Sequence, residues 1–470
     1  MAKQISQKTF DDVVRENMRE FEMEAEEAVQ DAIQQFESQG VNLSIIVKDP
    51  SLYTESADSG DTHDHPVVTA VKKLDACLAG PPGAAQDEIV SCLQDVQKEC
   101  DTDLSRRCLA GSNGAYDVLY KALCTYEKEP DTFRLVLSSF CALVNGQPDL
   151  IDCKGIELLM SALKQYRESA ETEELIVRAI RLNCVKHEAN RQEFVKHDYI
   201  ITATELLTAH KSNPTLVKEI CISLRTLTLD DDVRVPFGKA HETAKTIVTE
   251  GDALKAILSL CEEHLNNPIV LAELFLTLSC LAVRNEFCEE VMNRGGLKLI
   301  IQAFESGIKD KVIVRQALIV MKVLAGNDDV KKEICKLGGV ELVVTAMTTH
   351  QNNSHIAEAA CKLLTAITLR NPENCRKVVD CHGHQHIVQA MKLHPNEVGV
   401  QKNACMSLRN LVSRTKDLSE CILALGVEPL LNNAMNCHKE AQDEAKAALR
   451  DLGCKVELQE LWKGKRGTLQ

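Results

Sequence analysis

Apolar residues recur every three or four positions in short runs, and the runs themselves recur along the chain. Between Asn266 and Gly307, Leu271, Leu274, Leu278 and Leu281 fall at helical spacing. A shorter apolar run spans Cys288 to Met292, and Leu297, Ile300, Ile301 and Phe304 form the apolar face of a third. An Asn-Pro pair opens the first run, a common helix start. Gly295-Gly296 separates the second run from the third, since glycine accepts positive φ at little cost. The pattern predicts two or three helices per unit, and no alternation of period two competes with it.

Small turns, usually carrying glycine, precede apolar helical runs at Asn113-Gly114-Ala115, Lys154-Gly155-Ile156, Gly295-Gly296-Leu297, Gly338-Gly339-Val340, His382-Gly383 and Leu425-Gly426-Val427. The intervals are 155−114 = 41, 339−296 = 43, 383−339 = 44 and 426−383 = 43. Gly155 and Gly296 are 141 apart, enough for three units of about 43 with roughly a dozen residues over, which locates an insertion near 230–246. A unit of this size cannot bury its apolar faces alone, so neighbours are expected to stack into a right-handed α-solenoid of about nine repeats around one continuous core.

Unit length and glycine joint resemble the armadillo family, most strongly over Asn267 to Gly307, Asp310 to His350, Asn352 to His394 and Pro395 to His438. HEAT repeats are the alternative, though they usually lack the glycine joint. More narrowly, FESQGVNLSIIVK (Phe36 to Lys48), NGQPDLIDCKG (Asn145 to Gly155), DDDVRVPFGKAH (Asp230 to His241), VQKNACMSLRNLV (Val400 to Val412) and AKAALRDLGCKVELQELWKGKRG (Ala445 to Gly467) are similar to strings of the armadillo repeat-containing protein 6 family. The resemblance spans nearly the whole chain. It implies an all-α protein-interaction scaffold without catalytic activity.

In armadillo solenoids the third helix of each unit lines the concave surface, and the best-known members carry a Trp and, four residues on, an Asn that pairs with the backbone of an extended peptide. Aligned on this chain, the Asn position falls at Leu143, Leu182, Thr226, Cys280, Val323, Ala366 and Asn410, and the Trp position at Ser139, Arg178, Ile222, Leu276, Ile319, Lys362 and Met406. The sole Trp, Trp462, lies elsewhere. The importin-α manner of binding is therefore not expected. Basic residues stand beside the Asn position instead: Arg181, Arg225, Lys322 and Arg409 one before it, and Lys186, Arg284, Arg370 and Arg414 four after it. Residues three to five apart share a helix face, so the expected partner site is a partly basic groove built on Arg181, Arg225, Lys322, Arg409 and Asn410. The plainer reading keeps these cations as solvated last-turn residues favoured by the helix dipole.

Residues 1–66 carry 15 Asp/Glu and 5 Lys/Arg, so they hold −10 of the chain's −15. Phe10, Val14, Met18, Phe21, Ala25, Val29, Ala32, Ile33 and Phe36 recur at three or four residues, which predicts one amphipathic helix over Thr9 to Glu37, ended by Gly40. Asp49 to Pro66 reads as a flexible linker. This acidic segment would cap the first repeat, act as a detachable arm, or compete for the basic groove. Residues 67–470 form the solenoid, with an irregular C-terminal cap.

Composition narrows the remaining options. Of 470 residues 44% are hydrophobic but only 4% aromatic, which favours packed helices over a β-sandwich. The net charge of −15 argues against a general nucleic-acid coat. No run of about 18 apolar residues and no signal-like start is present. A cytosolic monomer is expected, with the nucleus as a second compartment and other proteins as partners, without membrane or direct nucleic-acid contact. The 20 cysteines are scattered singly, with no C-x-x-C, and read as reduced core residues. Cys375, Cys381, His382, His384 and His386 are close enough to suggest zinc, but they sit at a joint with no second ligand group, so a turn is the better account. Asp230, Asp231 and Asp232 lack the alternation of a calcium loop; an ordered interaction loop with Pro236 and Phe237 as its apolar foot is expected. No nucleophile elbow, phosphate loop, dinucleotide fingerprint or zincin motif occurs, so no catalytic residue, metal or cofactor is assigned. An acidic holder or chaperone for basic clients is the competing function.

Overall fold

The structure, a computed structural model, describes residues 3–53, 64–80 and 86–456. The described residues are helical apart from turns and one isolated bridge between Lys3 and Val41. They fall into two compact units, Met1–Thr246 and Ile247–Gln470.

Nine repeats run through the described residues after an N-terminal element. A complete repeat has three helices, as in the sixth: Asn285–Asn293, Gly296–Ser306 and Lys311–Leu324. Repeat 1 has two helices, Pro66–Ala79 and Gln86–Thr102, and in repeat 3 the first helix is reduced to a 3-10 turn, Pro148–Leu150. The third helices of the first unit (Gln86–Thr102, Pro130–Val144, Ala170–Cys184, Pro214–Leu227) pack each on the next. Those of the second unit (Pro268–Leu281, Lys311–Leu324, Ser354–Thr368, Val398–Ser413, Gln442–Leu452) do the same. Their starts follow from sequence. Asn213 and Asn267 precede a Pro at the first helical position and accept a backbone N–H through the side chain, and Asn353 caps likewise.

At the joint between first and second helix in repeats 2 and 4 to 9 one residue takes a left-handed conformation: Gly114, Asp198, Asp252, Gly295, Gly338, His382 or Gly426. Two expectations are corrected here. In the glycine pairs the left-handed residue is the first, Gly295 or Gly338, whereas Gly296 and Gly339 already begin a helix at negative φ. Gly155 is no joint; its N–H is capped by Asp152 in the first turn of Cys153–Gln165, with the Tyr116 hydroxyl pressed where a Cβ would stand.

A second regularity ties neighbouring repeats together. The residue closing the second helix reaches back one repeat to a backbone carbonyl: Tyr166 Oη donates to Glu127 at 2.5 Å, and Nε2 of His350, His394 and His438 donates to Ile308, Gln351 and Pro395, each at 2.8 Å. His210 occupies the same place, with Nε2 3.3 Å from the Arg167 carbonyl and 2.8 Å from the buried Glu173 carboxylate. All 20 cysteines are free thiols, most of them in the helical core; burial pushes those of Cys361 and Cys405 up to about 12.

The single N-terminal helix is replaced by a hairpin of two, Gln7–Glu20 and Ala25–Ser38, broken where Glu22 takes positive φ. The apolar spacing that fitted one helix serves two faces turned toward each other. Phe10, Val14, Ala28, Val29, Ala32 and Phe36 bury together with Val41, Leu43 and Ile46 from the following segment. Of the expected linker, Pro50–Tyr53 is a 3-10 turn whose Tyr53 is buried and donates to Asp11 at 2.6 Å, while residues 54–63 lie outside the described residues.

The irregular stretch before the fifth repeat runs only over 229–239, because Ala240–Thr249 is that repeat's first helix. Its foot is ionic, not apolar. Arg191, fully buried, donates to the carbonyls of Cys184 (2.8 Å) and Leu229 (2.5 Å) and pairs with Asp231 and Glu188. Asp232 accepts the Glu188 N–H at 2.9 Å and pairs with Arg234, whose hydrogen bond holds its carboxyl well below the usual carboxylate range. Arg234 reaches on to Asp149 at 2.7 Å. Phe237, expected as the foot, is 92% exposed, and Val233 is 88% exposed; the carboxylates claim the interior because they meet buried donors that an aromatic ring would leave unpaired.

Candidate functional site

The third helices bury Leu271, Leu274, Leu278 and Leu281, and their counterparts, toward the core. Opposite that face, positions spaced seven, four and three apart form an outward line: Ile269, Leu276, Cys280 and Val283 in repeat 5, then Val312, Ile319 and Val323 in repeat 6, each 43 residues on from its equivalent. Ile269 is 66% exposed and Val312 56%, with Val283 and, in repeat 7, Leu369 also exposed. Leu276, Cys280, Ile319, Val323, Ala366 and Met406 are half-buried. The aligned Trp and Asn positions thus form a partly aliphatic strip in the second unit.

The predicted cations occupy this face unevenly. In the first unit Arg181 pairs with Glu219 of the next third helix, and Arg178 lies 2.6 Å from Glu174 and 3.9 Å from Glu219. Arg225 is half-buried in the last turn of Pro214–Leu227. In the second unit Lys322 is exposed and has no ion-pair partner among the described residues, and Arg315 two turns earlier is the same. Lys362 pairs with Glu358 at 2.6 Å, and Arg409 with Glu444 at 3.1 Å. Asn410 donates its amide to the Thr365 carbonyl at 3.0 Å, which ties repeat 8 to repeat 7. Lys186, Arg284, Arg370 and Arg414 do not share a helix face with the preceding cations; each stands beyond the end of its third helix, Lys186 and Arg370 at positive φ. Trp462 lies outside the described residues.

Other candidates resolve into packing. Cys375 is buried with Sγ 3.4 Å from the Thr368 carbonyl, and burial lowers the pKa of His384 and His386. Among the described residues no group of three or more His, Cys, Asp or Glu is arranged to hold a metal ion, and no helix is long and apolar enough to cross a membrane. In the first unit a cleft of about 540 Å³ lies between the N-terminal hairpin and repeats 1 and 2, lined by Lys8, Arg15, Tyr53, His65, Val68 and Leu109 among others. Among the described residues the acidic hairpin thus shares this cleft with repeats 1 and 2.

Leu276, Cys280, Ile319 and Val323 were placed on this face from sequence, but Ile269 and Val312 were not, because each reads alone as core and only the 43-residue register makes them equivalents on an outward face. The ionic foot left no periodic signal at all, since Arg191 and Asp231 are far apart in sequence.

Comparison with known proteins bears on both parts of the chain. The family model described as ARMC6 matches residues 67–470, and that of the Armadillo repeat-containing protein 6 N-terminal domain matches residues 2–65. The chain is 41% identical over its full length to Armadillo repeat-containing protein 6 of Homo sapiens, covering 94% of that protein. It is 37% identical over 99% of its length to the Armadillo repeat-containing protein 6 homolog of Drosophila melanogaster, covering 98% of it. Among solved structures, the crystal structure of an engineered protein superposes with a TM-score of 0.56 at 19% identity, covering 84% of this chain and 100% of that one; this likeness bears on fold alone.

Proposed function

Because the chain belongs to the armadillo repeat-containing protein 6 family, we propose that it is a non-enzymatic scaffold that binds protein segments along the outward face of its third helices. The observation that carries this reading is the exposed and half-buried row among the described residues of the second unit, where aliphatic side chains stand at equivalent positions of the stacked helices in repeats 5 and 6. Such a row offers a segment of another protein the same kind of contact at each step, and the energy accumulates over repeats. Arg181, Arg225, Lys322, Arg409 and Asn410 are the residues first assigned to this face. Lys322 supplies uncompensated positive charge, Arg181 and Arg409 are largely matched by carboxylates, and Asn410 orders the repeats. The site is therefore more apolar and less basic than a charge count implies.

A photo-crosslinking residue placed at Ile319 tests this, with one at Lys298, exposed on the second helix of the same repeat, as control. Partner adducts should form from position 319 and be sparse from 298. Equal or reversed yields would sink the assignment.

A further inference from the structure

In the second unit the third helices present aliphatic groups where an extended peptide needs amides. An extended segment exposes a main-chain N–H and C=O at every residue, and desolvating them unpaired is costly. Cys280, Val323 and Ala366 stand at the positions that would pair with that backbone, and none bears an amide. The amide of Asn410 is taken by Thr365. An α-helix satisfies its own main chain and asks only for apolar contact.

Resting on the reading of this face as a docking surface, we propose that repeats 5 to 7 receive an acidic amphipathic α-helix of a partner protein. The spacing fits. Packed helices lie about 8–10 Å apart, and residues seven apart on a helix are separated by about 10.5 Å, so a stripe at i, i+7 and i+14 delivers one apolar side chain to each of three third helices. Leu276 and Ile319 form the centre of the surface, with Ile269 and Val312 at one edge and Val283 and Leu369 at the other. Arg315 and Lys322 flank the centre, exposed and without ion-pair partners among the described residues. Two carboxylates lie by this line, Glu273 in repeat 5 and Glu358 in repeat 7, the latter paired with Lys362, which takes the central position there. The two cations of the central repeat favour acidic flanks on the incoming helix.

The probe is a labelled, end-capped 18-residue peptide with leucine at i, i+3, i+4, i+7, i+10, i+11 and i+14 and glutamate elsewhere, titrated against the full chain in fluorescence anisotropy. Three controls share its length: two central prolines, glutamate replaced by lysine, and a scrambled order. The helical acidic peptide should bind at least tenfold tighter than each control, and the pair Leu276→Glu with Ile319→Glu should abolish the difference. Arg315→Glu with Lys322→Glu should weaken binding several-fold, more at low salt. Circular dichroism of each variant separates lost binding from lost fold. If the proline peptide binds equally and the same variants weaken it, the face binds segments but not helices, and this proposal falls while the broader reading stands. If no peptide responds to variants on this face, both fall. Self-association of the chain that Ile319→Glu abolishes would show a second copy as occupant and overturn the proposal.

Discussion

Positive φ and close packing, two reasons for glycine, fall on different members of each joint pair. Around Gly338, at φ +82, nothing lies within 4 Å of an added Cβ, whereas one at Gly339 would meet Ile334 Cγ2 at 2.6 Å and its carbonyl oxygen at 2.8 Å. Gly338→Ala should therefore cost about 1–2 kcal/mol as backbone strain, and Gly338→Asn less, since Asp198 and Asp252 hold that conformation elsewhere. Gly339→Ala should cost about 1–3 kcal/mol by overpacking. Urea unfolding midpoints for the three variants check the order. The same Asp residues explain why glycine intervals faded before residue 266: repeats 4 and 5 have the joint conformation without the glycine. Glu173 makes a pH prediction. Burial pushes its carboxyl up to about 6, with His210 pulling it back only in part. Its folded value lies above the ordinary 4.5, so its contribution is fully favourable below 4.5 and is lost as pH rises through about 6. Glu173→Gln should stabilise the protein at pH 7.5 by about 1–2 kcal/mol and have little effect at pH 4.5; an unchanged difference between the two pH values would contradict this.

At the scale of the element, the 229–239 loop is held by charge where an apolar anchor was expected. Arg191→Met should cost about 3–5 kcal/mol, because it leaves Asp231, Glu188 and two carbonyls without their buried partner, while Phe237→Ala should stay within about 0.5 kcal/mol. Thermal melts of the two variants distinguish an ionic foot from an aromatic one. Long-range pairing of this kind is invisible to periodicity. The N-terminal hairpin fails for a different reason: a period of three to four residues is satisfied by one long helix or by two short ones facing each other, and the Phe21 to Glu24 stretch contains no glycine or proline to mark the break. Helices with caps were legible, as at Asn267-Pro268, because the cap residue and the chemistry it performs are local. The histidine contacts were half-legible; His350, His394 and His438 ended the sequence units, but their carbonyl partners become evident only when repeats stack. His394→Ala should cost about 1 kcal/mol, and His394→Gln should recover part of it in the same urea titration.

At the scale of the whole molecule, the fold was legible because one 43-residue signal is written several times, whereas the face proposed to bind was legible only as a set of positions. Some of the cations expected there meet carboxylates on neighbouring helices, such as Glu219 and Glu444, which only packing brings to them. The charge of the N-terminal segment likewise predicted attraction to a basic groove, but its apolar residues bury against one another, and it shares a cleft with repeats 1 and 2. A lysine-reactive cross-linker should join Lys8 to Lys72, whose ammonium sits beside Asp64 on the cleft wall, and loss of that link in the native protein would contradict this placement. The backward hydrogen bonds have a consequence for how the chain can change in length. Each spans one period, from His394 to Gln351 and from His438 to Pro395, so the histidine marks a seam. Excising residues 351–394 would rejoin His350 to Pro395, leaving both His350 to Ile308 and His438 to Pro395 with their partners. Growth or loss of the array by whole periods is thus permitted at these seams, while a cut of any other length breaks the register of the bond that spans it.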